Sequence, residues 1–163
     1  TKTIKFKKFK FMPEIKKNQI RDVRFGKNCK IIEPVNLYEC KLGDNVFVGP
    51  FVEITKGVEI GNNTRISSHS FICELVSIGK NCFIAHGVMF TNDLFKKGTL
   101  GGSVGNWLPT KICDNVLIGS NSTILPVEIA SGCVIGAGSV VTKNCLIKGI
   151  YAGNPAKLLR KLD

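Results

Sequence analysis

Aliphatic residues return along this chain at every sixth position. From Leu42 the step of six lands on Val48, Ile54, Ile60, Ile66, Ile72, Ile78, Ile84 and Phe90 without an exception. Upstream, Phe25, Ile31 and Leu37 keep the step, with one residue fewer before Leu42. Downstream, Ile112, Ile118 and Ile124 resume it, and one short step leads to Ile129, Ile135, Val141 and Ile147. A helix repeats about every 3.6 residues and a strand about every 2, so neither produces this period.

Within each hexad the second position is often glycine, as at Gly43, Gly49, Gly61, Gly79, Gly119 and Gly136. The fifth is small or β-branched, from Val46, Val52, Val58, Thr64 and Ser70 through Cys82 and Val88 to Ser122, Cys133 and Ser139. Two inward positions in six, with Gly and Asn between them, predict a short strand followed by a tight turn. Three hexads then make one triangular coil, and stacked coils pair along their axis as an all-β parallel β-helix. A single domain, 1–163, is expected, with its coils over 23–150.

The repeat stops between Phe90 and Ile112, which predicts an inserted loop at about 92–111. A loop of that length inside a compact repeat is usually functional. Ahead of the coils, an arm over 1–22 alternates Lys with Ile or Phe at positions 4–11, a pattern that suits a short strand. The far end, 154–163, is expected to be a short helix, since Pro155 suits a first turn and Leu158, Leu159 and Leu162 would share one side.

Charge changes the picture only locally. The chain has 163 residues and a formal net charge of +11. Residues 1–30 carry eleven basic side chains against Glu14 and Asp22, a balance of +9. The excess therefore belongs to the arm, which would meet an anionic group or cap the open end of the coils. A nucleic-acid reader would need stacked aromatics along a groove, and none are patterned here. No run approaches the roughly 20 apolar residues of a membrane span. Seven cysteines without a C-x-x-C pair read as packing residues of a reducing, cytoplasmic protein. No metal is expected, because the two histidines and the cysteines lack ligand spacing.

The hexads, the segment FICELVSIGKNCFIAHGVMFTNDLF at 71–95 and the ending AGNPAK at 152–157 carry a resemblance to a known family. Over about 23–157 the chain resembles the left-handed β-helix acyltransferases of the hexapeptide-repeat family. Residues 71–95 are most similar to the branch that N-acetylates nucleotide-linked 3-amino sugars. The resemblance implies a left-handed coil, acetyl-CoA as co-substrate and a homotrimer with active sites between subunits. The implied product is a cell-surface glycan precursor. Alternatives are a 4-amino sugar acceptor, another small amine, or a trimeric scaffold without catalysis. A γ-class carbonic anhydrase has a similar fold, but it needs three zinc-binding histidines per site and this chain has two.

An amine attacking a thioester needs positioning, a donor for the oxyanion and a destination for one proton. Asn92 stands where the related galactoside and maltose acetyltransferases carry a histidine base. The resemblance thus implies that Asn92 orients the sugar amine and does not remove its proton. His69 and His86 occupy outward hexad positions and are 17 residues apart, close to one coil, so either imidazole could take the ammonium proton or bind a sugar hydroxyl. Glu74 would orient the amine or an imidazole, and Asp93 would bind substrate. Small residues at Gly119, Ser120, Asn121, Gly136, Ala137 and Gly138 would let a pantetheine arm approach. Lys157 and Arg160 would meet the phosphates of coenzyme A. Tight turns in a Gly-rich repeat and a solvated terminal segment account for these last residues equally well.

Overall fold

A computed structural model describes residues 19–95, 98 and 106–163. The expected arm strand and most of the tip of the inserted loop lie outside the described residues.

The chain winds into a three-faced parallel β-solenoid with seven strands on its first face, six on the second and eight on the third. Face 1 stacks Ile20–Arg21, Asn36–Tyr38, Glu53–Ile54, Phe71–Ile72, Met89–Phe90, Thr123–Ile124 and Val140–Val141. Face 2 begins at Arg24–Phe25 and ends at Glu128–Ile129, and face 3 begins at Lys30–Ile31. This is the architecture of the left-handed hexapeptide β-helix.

The six-residue step is the sum of a two-residue strand and a four-residue corner. Its first position points inward on every face, so Leu37, Ile54 and Ile72 stand in register on face 1, and Phe90, Ile124 and Val141 continue the column. All of these are buried, as are the fifth-position residues Val46, Thr64, Ser70, Cys82 and Ser122. Hydroxyls are tolerated there because they bond to corner carbonyls: Thr64 Oγ1 donates to Gly79 O at 2.8 Å and Ser70 Oγ to Ala85 O at 3.0 Å. Gly61 is needed for a different reason. A Cβ there would lie 2.5 Å from Gly79 C and 2.6 Å from Lys80 N, so a side chain would push neighbouring coils apart.

The cysteines belong to this packing, and all seven are free thiols. Burial pushes the thiols of Cys40, Cys73 and Cys145 up to about 11. Native thiols then hold protons that unfolded thiols release near pH 8.5, so the native state binds more protons and stability falls as pH rises from about 9 to 11. Below about pH 8 their contribution is fully present. Thermal melts from about pH 8 to 11 should show this decline, and it should be shallower in a Cys40→Ala/Cys145→Ala variant. Parallel curves for the two proteins would exclude Cys40 and Cys145 as its source.

Between faces 2 and 3 the corners are built from asparagine. Asn28, Asn45, Asn63, Asn81 and Asn115 all have φ between 56° and 60°, a left-handed conformation that Asn tolerates. Their side-chain amides donate each to the next carbonyl at 3.0 to 3.3 Å, making a ladder along the axis. Asn63→Ala should lose two rungs and the left-handed preference, costing about 1–2 kcal/mol in urea unfolding, with Asn63→Gly less affected. Equal losses for both variants would show that the amide ladder, not the backbone, carries the effect.

The C-terminal helix expected at 154–163 does not form. Lys157–Lys161 is a strand, antiparallel to Gly149–Ala152 at the edge of face 3. The leucines do not share one side there: Leu158 packs against the core and Leu159 is 66% exposed. Pairing also covers backbone groups that the last coil would otherwise leave open at a sheet edge. The repeat loosens at both ends, where Phe25 and Ile147 are about half exposed. Near the C-terminus Cys145 bridges to Ile129 in place of Ile147, and Tyr151 stacks on Ile135, its hydroxyl donating to Ile147 O at 2.8 Å.

Candidate functional site

The inserted segment leaves face 1 after Phe90 and rejoins face 2 at Thr110–Ile112, slightly ahead of the expected boundary. It therefore interrupts the corner between faces 1 and 2. In successive coils the residues just after the inward column are Tyr38, Thr55, Cys73 and Thr91. The next corner positions hold Glu39, Lys56, Glu74 and Asn92. Loop residues Asp93, Phe95 and Trp107 close over this corner to form a cleft of about 370 Å³.

Asn92 ties the loop together. Its carbonyl accepts Leu108 N at 2.9 Å, so the outgoing and returning strands of the loop meet there. Its side-chain amide donates to Glu74 O at 3.3 Å in the coil below. Asp93 has a structural task, because its Oδ1 accepts Phe95 N at 2.8 Å and turns the chain. Glu74 and Asp93 line the cleft, and no Lys or Arg is among its described lining residues. The described lining thus carries carboxylates without a basic side chain, which suits a cationic or hydroxyl-rich ligand.

Three further groups in the cleft escaped the sequence reading. Partial burial raises the pKa of Tyr38, the carboxylates of Glu53 and Glu74 raise it further, and Arg21 and the Thr55 hydroxyl work against them. Its phenol is a neutral donor at physiological pH. The Arg21 guanidinium lies 4.9 Å from the centre of its ring. Thr55 Oγ1 is buried without a hydrogen bond of ordinary geometry to any described residue. Cys73, also buried, has its thiol pushed up to about 11 and so is not a nucleophile at neutral pH. The signal was present in the hexads, since residues 38, 55, 73 and 91 recur at 17 or 18 residues, one coil apart.

The histidines lie elsewhere, on the corner between faces 3 and 1. Both are outside the core, as their outward hexad positions predict. His86 stands above Ser68, and its Nδ1 is 2.8 Å from Ser68 Oγ. Asn121 N donates to His86 O at 2.8 Å, and Gly138 N donates to Ser120 O at 2.8 Å. The column thus runs from the histidines to Ser120, Asn121, Ala137 and Gly138. Gly119 has a packing explanation of its own, because a Cβ there would be 2.5 Å from Ala137 N. Gly138, with φ of 69°, faces open space. Lys157 begins the terminal strand near this corner, where Val140 N bonds to Gly153 O at 3.0 Å, whereas Arg160 pairs with Ile150 further along face 3. Both are exposed.

The candidate residues thus fall into two groups on either side of face 1. Glu74, Asn92 and Asp93 share the cleft; His69 and His86 share the opposite corner with Ser120, Asn121, Ala137 and Gly138. Within one chain the groups do not meet. Backbone conformation separates the same two corners from the third. Positive φ is carried by Asn along the ladder, but by Leu75 near the cleft and by Phe51 and His69 on the histidine corner. A bulky residue in that region costs about 1–2 kcal/mol that Asn or Gly largely avoids. Such strain gathers at functional sites. Among the described residues no group of three or more His, Cys, Asp or Glu is placed to hold a metal, and no helix is long and apolar enough to cross a membrane.

Comparison with known proteins agrees with the coil. The family model for the bacterial transferase hexapeptide (six repeats) matches residues 39–74, and that for the hexapeptide repeat of succinyl-transferase matches 109–143. The bifunctional protein GlmU of Limosilactobacillus fermentum is 40% identical over 86 residues, covering 53% of this chain. The chain spans only 16% of that protein's length. A galactoside acetyltransferase solved in complex with coenzyme A is 32% identical, with a TM-score of 0.67, over 75% of this chain and 64% of the other. A mutant of AntD, an N-acyltransferase from Bacillus cereus solved with dTDP and coenzyme A, superposes with a TM-score of 0.78 over 88% of this chain and 86% of its own. At 22% identity this likeness is one of fold alone.

Proposed function

We propose, for a chain built on the hexapeptide repeat of the bacterial transferases, that it is an acetyl-CoA-dependent N-acetyltransferase. Its acceptor is the amino group of a nucleoside-diphosphate-linked 3-amino sugar. The observation that carries the reading is the acidic cleft where Glu74, Asn92 and Asp93 converge with no Lys or Arg among the described lining residues. A sugar amine, arriving partly as ammonium, is held there by carboxylates that a phosphate group would avoid.

In the reaction the neutral amine attacks the thioester carbonyl carbon. A C–N bond forms, the tetrahedral oxyanion collapses, and the C–S bond breaks to release the thiolate of coenzyme A. The amine loses one proton and the thiolate gains one. Asn92 orients the amine, and the second N–H of its amide is directed to the oxyanion. Glu74 holds the attacking nitrogen. His86 accepts the amine proton on Nε2, which requires the tautomer whose Nδ1–H donates to Ser68 Oγ. Direct attack in a ternary complex fits Cys73, whose protonated thiol would form no acyl-enzyme.

Acetyl-CoA would lie along the histidine corner, against Ser120, Asn121, Ala137 and the open surface at Gly138, with Lys157 and Arg160 toward its phosphates. Because cleft and corner lie on opposite sides of face 1, the complete site takes the cleft of one subunit and the histidine corner of another. A homotrimer supplies that arrangement three times. The free thiols suit a reducing cytoplasm.

A thiol-release assay over dTDP- and UDP-linked 3-amino and 4-amino sugars tests the reading. Turnover with a 3-amino sugar is the expected result. Preference for a 4-amino sugar would move the acceptor position, and no turnover with any of them would overturn the acceptor class. A scaffold without catalysis would show no thermal shift with acetyl-CoA.

A further inference from the structure

Phe51 is the most unusual residue on the histidine corner. In its column His69, Gly87, Asn121 and Gly138 follow in successive coils, and every one has positive φ. Glycine and asparagine fit that conformation; phenylalanine fits it poorly. Phe51 adopts a φ of 60° and is still 58% exposed. Its strain therefore gains nothing for the core. The ring instead meets the imidazole of His69 one coil above, centroids 4.8 Å apart and planes tilted by 41°.

We propose that Phe51 and His69 form a stacking platform for the nucleobase of the sugar nucleotide, an inference that rests on the nucleotide-linked acceptor proposed above. Base–aromatic stacking needs only an exposed ring face and accepts any base. The surroundings fit a nucleotide. The strands Phe47–Val48 and Arg65–Ile66 lead into this corner from face 3, and the Arg65 guanidinium is fixed 3.8 Å above the Phe47 ring. A planar cation held beside the platform suits a diphosphate. The order along the column is coherent as well. The base lies at Phe51 and His69, the proton acceptor His86 is one coil higher, and the residues assigned to coenzyme A follow above it. His69 thereby changes from a reader of sugar hydroxyls to half of the base platform.

Calorimetric titration of the intact protein with dTDP, UDP and GDP tests the platform directly. At least one should bind, and Phe51→Asn should weaken it about 10-fold or more. Its melting temperature should be unchanged or higher, since Asn relieves the left-handed strain; Phe51→Gly is the second variant in case Asn pairs with a neighbour. For amino sugars lacking a nucleotide, kcat/KM should stay the same in both variants. Equal nucleotide affinity in wild type and Phe51→Asn overturns the proposal, as does loss of the oligomer with affinity unchanged, which would make the pair a protein contact. Failure of the acceptor reading is distinct: the nucleotide would bind and depend on Phe51, yet no amino sugar would be acetylated. If no nucleotide binds to the wild type, the platform is wrong even where amino sugars are turned over.

Discussion

Replacing Asn92 with alanine is expected to lower kcat/KM for the amino sugar about 100-fold. In the proposed mechanism the group removed is a preorganised donor to the oxyanion, and loss of one such donor usually costs roughly 10²–10³ in rate. Little stability should go with it. The side-chain bond to Glu74 O is long, at 3.3 Å, and the bond that closes the loop, Leu108 N to Asn92 O, is made by the backbone and survives. Melting temperature and the KM for acetyl-CoA should therefore stay close to wild type while turnover falls. A variant that keeps wild-type kcat/KM would remove Asn92 from the site. A variant that loses stability and activity together would make it a loop anchor.

Phe90→Ala should produce the largest loss of stability, about 3–5 kcal/mol in denaturant unfolding. Phe90 is buried to 1% exposure in a column whose other buried members are Leu37, Ile54, Ile72, Ile124 and Val141. It is the one aromatic there, at the rung where the loop departs. It also lines the cleft beside Thr91 and Asn92, so a cavity would loosen the cleft as well as the core. Phe90→Leu, closer in volume, should cost less than about 1.5 kcal/mol and keep activity. A cost below about 1 kcal/mol for Phe90→Ala would mean that the coil collapses around the missing ring.

The solenoid was legible because its physics is local and repeated. A two-residue strand and a four-residue corner leave the same inward position in every coil, so Leu42 and Ile84 declare their burial without any knowledge of neighbours. The terminal segment was misread for the same reason in reverse. Leu158 and Leu159 carry no repeat, and their strand is decided by an open sheet edge that sequence spacing does not reveal. The cleft was half legible. Asn92 and Glu74 stood out where the repeat broke, but Tyr38 and Thr55 looked like ordinary turn residues until the coils were stacked.

By itself the sequence determined the period, the inward columns and the position of the insertion, and it offered the candidate residues on which the proposed acyl transfer rests. The tertiary structure decided which of them share a corner. One face lies between His86 and Asn92, because the two residues sit on either side of the same two-residue strand and the coil turns at each end of it. Strain followed the same division, since a corner's backbone demands left-handed φ whatever residue is there. Asparagine meets that demand cheaply along the ladder, whereas Phe51 and His69 meet it at a cost. Only the folded backbone shows which residues bear that cost.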